Sequence, residues 1–263
     1  MRLYTFYTPS HEIFKDQWFL PTLKDDYELR IIRCDQGCPS GEFQSNGWTK
    51  TMLWKSNLIL QAVQENWGQV FIYSDIDVQF FRSVKSTIVK LIRGQDIIFL
   101  RDSPQGTLCA GFFACRANQK TLRLWEDIRE ILLKELNQDQ GDQAILNRLL
   151  RDGAGGIFGL IQHLGSRLIK FLGQNDSWVI NHLSYFGNPY RIKWSYFPLE
   201  FFGGGALTGQ HWQPSMPLTI PQNIAIHHAN WTVGTENKIA QLRMVREAVN
   251  SRLQDLNSRK VNR

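Results

Sequence analysis

Val70-Phe-Ile-Tyr-Ser-Asp-Ile-Asp-Val-Gln-Phe-Phe81 is a short apolar run that ends in two aspartates one residue apart. Val70 to Tyr73 are bulky and β-branched or aromatic, the composition of a buried strand. Side chains alternate faces along a strand at about 3.3 Å per residue. Asp75 and Asp77 are therefore expected to project the same way, about 6.6 Å apart, with Ile76 turned to the other side. Two carboxylates at the exit of a buried strand make a hard-oxygen site for a divalent cation such as Mg²⁺ or Mn²⁺. Such a cation keeps coordination positions open for the oxygens of a diphosphate. Asp-x-Asp also occurs by chance in solvated turns, but the strand before it and Phe80-Phe81 after it argue against a loose surface turn.

Outward from this run the first half alternates strand and helix signals. Arg2 to Tyr7 and Tyr27 to Arg33 read as strands. Thr49 to Asn66 carries Met52, Leu53, Leu58, Ile59, Ala62 and Val63 at helical spacing, with Gly68 as a stop. After the aspartate pair come a short helix over Val84 to Ile92 and strands over Asp96 to Leu100 and Leu108 to Cys115. Asn118 is an N-cap for a helix running to about Leu136, whose buried stripe is Trp125, Ile128, Ile131, Leu132 and Leu136. Alternating strands and helices imply an α/β fold, a Rossmann-like and mostly parallel sheet covered on both faces. Ligands on such sheets bind at the carboxyl ends of the strands, where the aspartate pair lies.

The second half is less regular. Gly153 to Gly173 keeps helical spacing despite its glycines and reads as an amphipathic helix packed on the body, with a membrane-surface or acceptor-lid role as the alternative. Phe201-Phe-Gly-Gly-Gly205 reads as a flexible loop, and Asn237 to Asn257 as a terminal helix. No repeat or low-complexity linker divides the chain. One domain over 1–263 is expected, with a donor half at about 1–120 and an acceptor or closing half at about 121–263.

At 263 residues, with 43% hydrophobic and 21% charged, the chain is an ordinary globular one with a substantial core. The net charge of +6 sits largely in the last stretch, where Glu236 to Arg263 holds seven Lys/Arg against three Asp/Glu. The nearly balanced remainder excludes a nucleic-acid partner. The basic C-terminus is a solvated helix face or, alternatively, a peripheral contact with an anionic membrane. Met-Arg-Leu-Tyr-Thr-Phe-Tyr reads as a strand and not as a signal peptide, which points to the cytoplasm or its membrane surface. Cys34, Cys38, Cys109 and Cys115 match no zinc spacing and are expected as free, largely buried thiols. The sequons Asn175-Asp-Ser177 and Asn230-Trp-Thr232 are then chance matches.

Three further segments carry chemistry. Cys109-Ala-Gly-Phe-Phe-Ala-Cys-Arg-Ala-Asn118 is a strand whose Gly111 either lets a ligand approach the backbone or marks a bulge. Gly141-Asp-Gln-Ala-Ile-Leu-Asn147 puts Asp142 and Gln143 at the start of a short helix, as a cap or as partners for sugar hydroxyls. Ile224-Ala-Ile-His-His-Ala-Asn-Trp-Thr-Val-Gly-Thr-Glu-Asn-Lys238 offers two histidines that point apart on a strand, so at most one joins a given metal.

Together these blocks resemble the nucleotide-diphospho-sugar transferase family, glycosyltransferases of the A-type fold with an Asp-x-Asp motif. The likeness runs from Tyr4-Thr-Phe-Tyr-Thr-Pro-Ser-His11 to Lys238 and is patchy between about 150 and 220. The Tyr-Ser-Asp-Ile-Asp, Asp-Gln-x-x-x-Asn and His-Ala-Asn-Trp-x-x-Gly blocks occur in the family's order. The resemblance implies an enzyme, a hexosyl- or pentosyltransferase. It would move a sugar from a nucleotide-diphosphate donor, by default uridine-linked, to a hydroxyl of a glycan, lipid-linked or protein acceptor with retention of configuration.

The same resemblance implies roles. Asp75, Asp77 and His228 hold Mn²⁺ or Mg²⁺. Tyr7 and Thr8 line the base, Lys55 contacts donor phosphate, and Ser74 and Gly111 belong to the donor-binding side. Gly234 and Lys238 close over the diphosphate, the lysine neutralising leaving-group charge, while Asp142 and Gln143 face the transferred sugar. Two departures leave the donor sugar open. Cys109-Ala-Gly111 stands where Asn-Ser-Gly is common, and the His-to-Gly spacing is longer than in the glycogenin-like group.

Two other readings compete. A haloacid-dehalogenase-type phosphatase also uses a strand-end Asp-x-Asp, but wants Thr or Val where Gln79 stands and a later acidic pair this chain lacks. A non-catalytic nucleotide-sugar binder of the same fold is opposed by the intact Asp75, Asp77 and His228.

Overall fold

The computed structural model describes residues 1–37, 47–135, 141–151 and 188–261. Its strands in chain order are β1 (Arg2–Tyr7), β2 (Glu28–Arg33), β3 (Val70–Ser74), β4 (Val78–Phe80), β5 (Ile97–Arg101), β6 (Leu108–Arg116), β7 (Trp194–Tyr196), β8 (Phe201–Gly203) and β9 (Ile226–His228). The central sheet has the order β2-β1-β3-β6-β5-β7, and a three-stranded sheet, β4-β9-β8, adjoins it. In the central sheet β1 runs parallel to β2 and β3, and β5 parallel to β7. Strand β6 runs against both of its neighbours. The short segment between β5 and β6 is the reason: it cannot hold a crossover helix. It folds instead into a turn in which Asp102 N–H donates to Thr107 O at 2.8 Å.

Strand β3 is apolar throughout because both of its faces are covered. Phe71 and Tyr73 join one core layer, and Ile72 joins the other. The first layer is closed by the helices Trp48–Glu65 and Gln119–Lys134, with Tyr73 stacked on Phe113 and Phe113 on Trp125 at 5.3 Å each. The second layer packs Phe14, Phe19, Phe112 and Phe197 against the sheet and is reached from the C-terminal helix Thr235–Val261 by Leu242.

The element boundaries follow the local chemistry. Asn118 caps its helix by accepting from the N–H groups of Lys120 and Thr121 at 2.9 and 3.1 Å. The Thr121 hydroxyl accepts in return from Asn118 N–H at 3.0 Å, which completes a capping box. The Phe201-Phe-Gly segment, expected as a loop, is strand β8: Phe201, Phe202 and Gly203 pair with Ile226, His227 and His228. Partners on β9, invisible to a local reading, override the glycines.

The expected helix over Gly153 to Gly173, the sequon at Asn175, and Cys38 lie outside the described residues. Cys34, Cys109 and Cys115 are free and buried. Among the described residues no helix is long and apolar enough to cross a membrane.

Replacing Asn118 with alanine removes the cap and also the bond from Asn118 Nδ2 to Asp96 Oδ1 at 2.8 Å. Urea unfolding of Asn118→Ala should show a loss of about 1–2 kcal/mol with an unchanged denaturant slope. A midpoint equal to the parent's would mean that the box does not stabilise this helix.

Candidate active site

Strand β3 ends at Ser74, and Asp75, Ile76 and Asp77 form the turn into β4. The two carboxylates therefore converge through a turn anchored by buried Ile76, and not through the pleat of a continuing strand. Strand β9 lies antiparallel on β4 with His228 opposite Val78, and Ala229 N–H donates to Asp77 O at 3.1 Å. This pairing carries His228 to the aspartates. One ligand atom each from Asp75, Asp77 and His228 lies within 4.8 Å of the others.

The charges there are compensated from two distant helices. Asp77 is 3% exposed; Lys238 Nζ lies 2.6 Å from its Oδ2 and His228 Nε2 lies 3.2 Å from its Oδ1. Burial alone would raise the pKa of Asp77, but Lys238 and His228 outweigh it and hold the carboxyl well below the ordinary value. Lys55, also buried, sits 3.2 Å from Asp75 Oδ1 and 3.1 Å from Asp142 Oδ2. Burial opposes its charge, yet Asp142 and Asp75 together push its pKa above the ordinary lysine value. Burial raises Asp142 against the pull of Lys55. The Lys55–Asp142 contact lacks hydrogen-bond alignment, so Asp142 Oδ2 is a buried acceptor without a hydrogen bond from the protein.

His227 points the other way. Its Nδ1 meets Gln79 Nε2 at 3.1 Å and its Nε2 meets Gln241 Oε1 at 3.2 Å. Burial and the neighbouring His228 push its pKa down to about 3, which keeps this ring neutral.

Gly111 explains how the cluster fits against the sheet. Phe99 pairs with Phe113 but Leu100 pairs with Cys109, so β6 bulges at 110–112. A Cβ on Gly111 would come within 2.2 Å of His228 Cε1 and 2.6 Å of Asp75 Oδ2. The space that this glycine leaves is filled by the two candidate metal ligands themselves. Ser74 likewise stands behind the site, its hydroxyl donating to Asp75 O at 2.9 Å.

A cavity of about 800 Å³ opens on this cluster, in the size range of small-molecule sites. Tyr7, Thr8, Lys55, Asp75, Asp77, Asp142, Gln143, His228, Gly234 and Lys238 all line it. Gln143 has both ends of its amide engaged: Oε1 accepts from Ala110 N–H at 3.0 Å and Nε2 donates to Asp102 Oδ2 at 2.8 Å. Gly234 has φ 88°, the left-handed region open to glycine, just before the Lys238 helix begins.

Several contributors escape the sequence reading. The Tyr73 hydroxyl donates to Asp75 Oδ1 at 2.8 Å, and the period-two spacing of these residues is the signal that finds it. Asp102, 1% exposed, accepts from Asn230 Nδ2 at 2.7 Å and Trp231 Nε1 at 2.6 Å besides Gln143. Burial still raises its pKa, because these partners only partly offset the desolvation. No local signal reveals Asp102, since Asp-Ser-Pro reads as a turn. Trp231 holds φ 52°, a costly conformation for a bulky residue, and is pinned there by Asp102 and by Trp212 N–H, 2.7 Å from its carbonyl. His11 lines the cavity with Nδ1 near the Thr8 and Ser10 hydroxyls, its pKa pushed down to about 4 by burial and then by Lys238.

A mostly parallel Rossmann-like sheet with an acidic, imidazole-bearing site beyond its central strand is the A-type glycosyltransferase architecture. The family model for nucleotide-diphospho-sugar transferases matches residues 35–242, and the chain belongs to that family. Among solved structures, the glycosyltransferase GlyE of Streptococcus pneumoniae TIGR4 is 12% identical with a TM-score of 0.46, over 91% of this chain and 60% of its own. The chain thus spans about 60% of the length of GlyE. A glycosyltransferase involved in glycosylation of the major capsid of PBCV-1 is 9% identical, TM-score 0.44, over 93% of this chain and 100% of its own. Mouse xyloside xylosyltransferase 1 is 8% identical, TM-score 0.41, over 87% and 97%. A comparison with curated proteins returns no match.

Gly111→Ala tests the packing of the cluster. The added methyl should cost about 1–3 kcal/mol of stability by overpacking. It should also weaken Mn²⁺ binding at least about tenfold in a titration followed by electron paramagnetic resonance. Parental Mn²⁺ affinity would show that His228 and Asp75 need no such support.

Proposed function

We propose that this chain is a metal-dependent transferase that moves a sugar from a uridine-diphosphate donor to an acceptor hydroxyl with retention of configuration. The observation that carries the reading is the convergence of Asp75, Asp77, His228 and Lys238 on one wall of a donor-sized cavity. The donor set fits Mn²⁺ or Mg²⁺: two hard carboxylates and one imidazole, with the carboxylate charge of Asp77 maintained despite burial. When bound, the cation supplies Lewis acidity toward the diphosphate leaving group.

The chain's own residues do the rest. Tyr7 and Thr8 flank the base at one end of the cavity. Lys238 turns from Asp77 to the diphosphate and neutralises the charge that develops as the leaving group departs. Lys55, buried between Asp75 and Asp142, pairs with both carboxylates and fixes their positions more than it meets phosphate. Asp142, held by Lys55, lines the cavity and faces the transferred sugar, hexose or pentose. Gln143, engaged at both ends, orients the sugar-binding wall by tying Ala110 to Asp102. A same-face displacement needs no enzymic nucleophile, which suits a site where Asp75, Asp77 and Asp142 are paired with lysines and Asp102 is held by uncharged donors. The acceptor is a glycan, lipid-linked or protein hydroxyl, and the basic C-terminal helix gives an anionic membrane surface a place to bind. A single domain, with a donor half to about residue 120 and a closing half beyond it, accommodates this division of labour.

Asp77→Asn should lower metal-dependent hydrolysis of the nucleotide sugar at least about 100-fold, roughly 2.7 kcal/mol of barrier, with native circular dichroism but a lowered melting temperature, because half-buried Lys238 and buried His228 lose their counter-charge. His228→Ala should lower that hydrolysis as well, whereas His227→Ala should lower the melting temperature first, because it empties the Gln79–Gln241 bridge. Thermal shifts with nucleoside diphosphates and nucleotide sugars, with and without Mn²⁺, identify the donor, and NMR of early product reads the anomeric centre. Full turnover by Asp77→Asn would remove the metal from the mechanism, and an inverted centre would remove retention.

A further inference from the structure

The core tryptophans Trp125 and Trp194 are fully buried, as packing alone would have them. Trp231 is different: it is half-buried and lines the cavity. It is nonetheless held as firmly as a core residue. Its Nε1 donates to Asp102 Oδ2 at 2.6 Å, and its carbonyl accepts from Trp212 N–H at 2.7 Å. A Cβ on Gly205 would come within 2.2 Å of Trp231 Cδ1, so this glycine lets the backbone lie against the indole. The backbone of Trp231 itself sits at φ 52°. Such a conformation persists only where the surroundings over-determine it, and it clusters at ligand sites. Asp102, which orients the indole, is itself fixed by Gln143 and Asn230, so this part of the wall is rigid before any ligand arrives.

The surroundings of the indole narrow the ligand. His211, exposed and also lining the cavity, places its ring centroid 5.5 Å from that of Trp231, tilted by 38°. Through Asp102 the indole is joined to Gln143, the neighbour of Asp142, so the aromatic pair adjoins the wall that faces the transferred sugar. Thr107, on the same turn as Asp102, adds a hydroxyl to the lining. A pyranose matches this chemistry, with C–H faces for a ring and hydroxyl edges for amides and hydroxyls. An acyl or prenyl chain would desolvate those polar groups without bonding them. A peptide hydroxyl brings no flat C–H face to the indole.

We propose that Trp231, flanked by His211, is the platform on which the acceptor stacks, and that the acceptor hydroxyl therefore belongs to a sugar ring. This inference rests on the proposed function for the word acceptor; the sugar platform itself does not.

The test uses the full chain with ¹⁵N-labelled tryptophan, in the presence of Mg²⁺ and uridine diphosphate. Of the nine tryptophans, the indole signal of Trp231 is the one missing from spectra of Trp231→Phe. Methyl glycosides of glucose, galactose, mannose, xylose and rhamnose are titrated in turn at millimolar concentration. At least one should shift the Trp231 signal saturably, and should receive saturation at its ring C–H protons when the protein's aromatic protons are irradiated. His211→Ala should weaken that binding about threefold or more. If Trp231→Phe does not fold, saturation transfer to the glycosides in wild type and the His211→Ala titration decide. A Trp231 signal that no glycoside moves would overturn the proposal. So would one moved only by a serine-containing peptide or by dihexanoyl phosphatidylcholine, which would make the acceptor a protein or a lipid. Glycoside affinity unchanged in His211→Ala would remove His211 from the platform. Thermal stabilisation by uridine diphosphate with silent glycosides would sink this inference and leave the donor reading standing. Glycosides that bind at Trp231 in a protein no nucleotide stabilises would keep the sugar platform and remove the nucleotide donor.

Discussion

Asp75, Asp77 and Asp142 crowd one wall of the cavity, and the architecture around them is arranged to make that tolerable. Charges a few ångströms apart in a low-dielectric setting repel strongly, and the usual escape is protonation. Asp77 escapes in the other direction because Lys238 and His228 lie against it, and Asp75 and Asp142 share Lys55. The two lysines come from helices far apart in the chain, Trp48–Glu65 and Thr235–Val261. Charge compensation thus ties the first helical layer, the central strand exit and the C-terminal helix into one unit. Each of these cations also lines the cavity.

A second layer of order is built from uncharged donors. Asp102 gathers N–H groups from Gln143, Asn230 and Trp231, so that the turn after β5, the Asp142 helix and the exit of β9 meet at one carboxylate. Asn147 fastens the same helix to β6, accepting from Leu108 N–H at 2.8 Å and donating to Leu108 O at 2.9 Å. Removing one partner from such a buried set leaves desolvated groups unmatched, which costs more than the bond itself is worth. All three residues of the Asp-Gln-x-x-x-Asn block therefore line the cavity, and Gln143 and Asn147 also fix where Asp142 sits.

The fold was legible wherever one segment determined its own state. The apolar run at Val70, the capping box at Asn118 and the helical stripe around Trp125 all appear at the expected positions. The reversed β6 was not legible as such, because its direction follows from the shortness of the turn before it and from pairing on both sides. Strand β8 was hidden for a related reason: Phe-Phe-Gly-Gly-Gly looks permissive until β9 lies beside it. Within the site, Asp75, Asp77 and His228 could be read because acid and imidazole chemistry marks them, although their convergence comes from a turn and not from strand alternation. Asp102 and the contact of Cys109 with His228 could not, since nothing in Asp-Ser-Pro or Leu-Cys-Ala tells which partners a bulge and two sheets bring beside them.

The pairing of β4 with β9 joins residue 78 to residue 228, and it is the contact that completes the candidate Asp75–Asp77–His228 metal group. A contact of such sequence separation closes a large loop and forms late relative to local helices and hairpins. A chain emerging during synthesis therefore carries Asp75 and Asp77 long before it owns their third partner or the lysine that offsets Asp77. Until the last strand docks, Asp75 has Tyr73 and Lys55 beside it, but the Asp75–Asp77–His228 group is not yet assembled. The assembled Asp75–Asp77–His228 group is in this sense a certificate of finished folding, since it requires the docking of β9, next to the helix that carries Lys238.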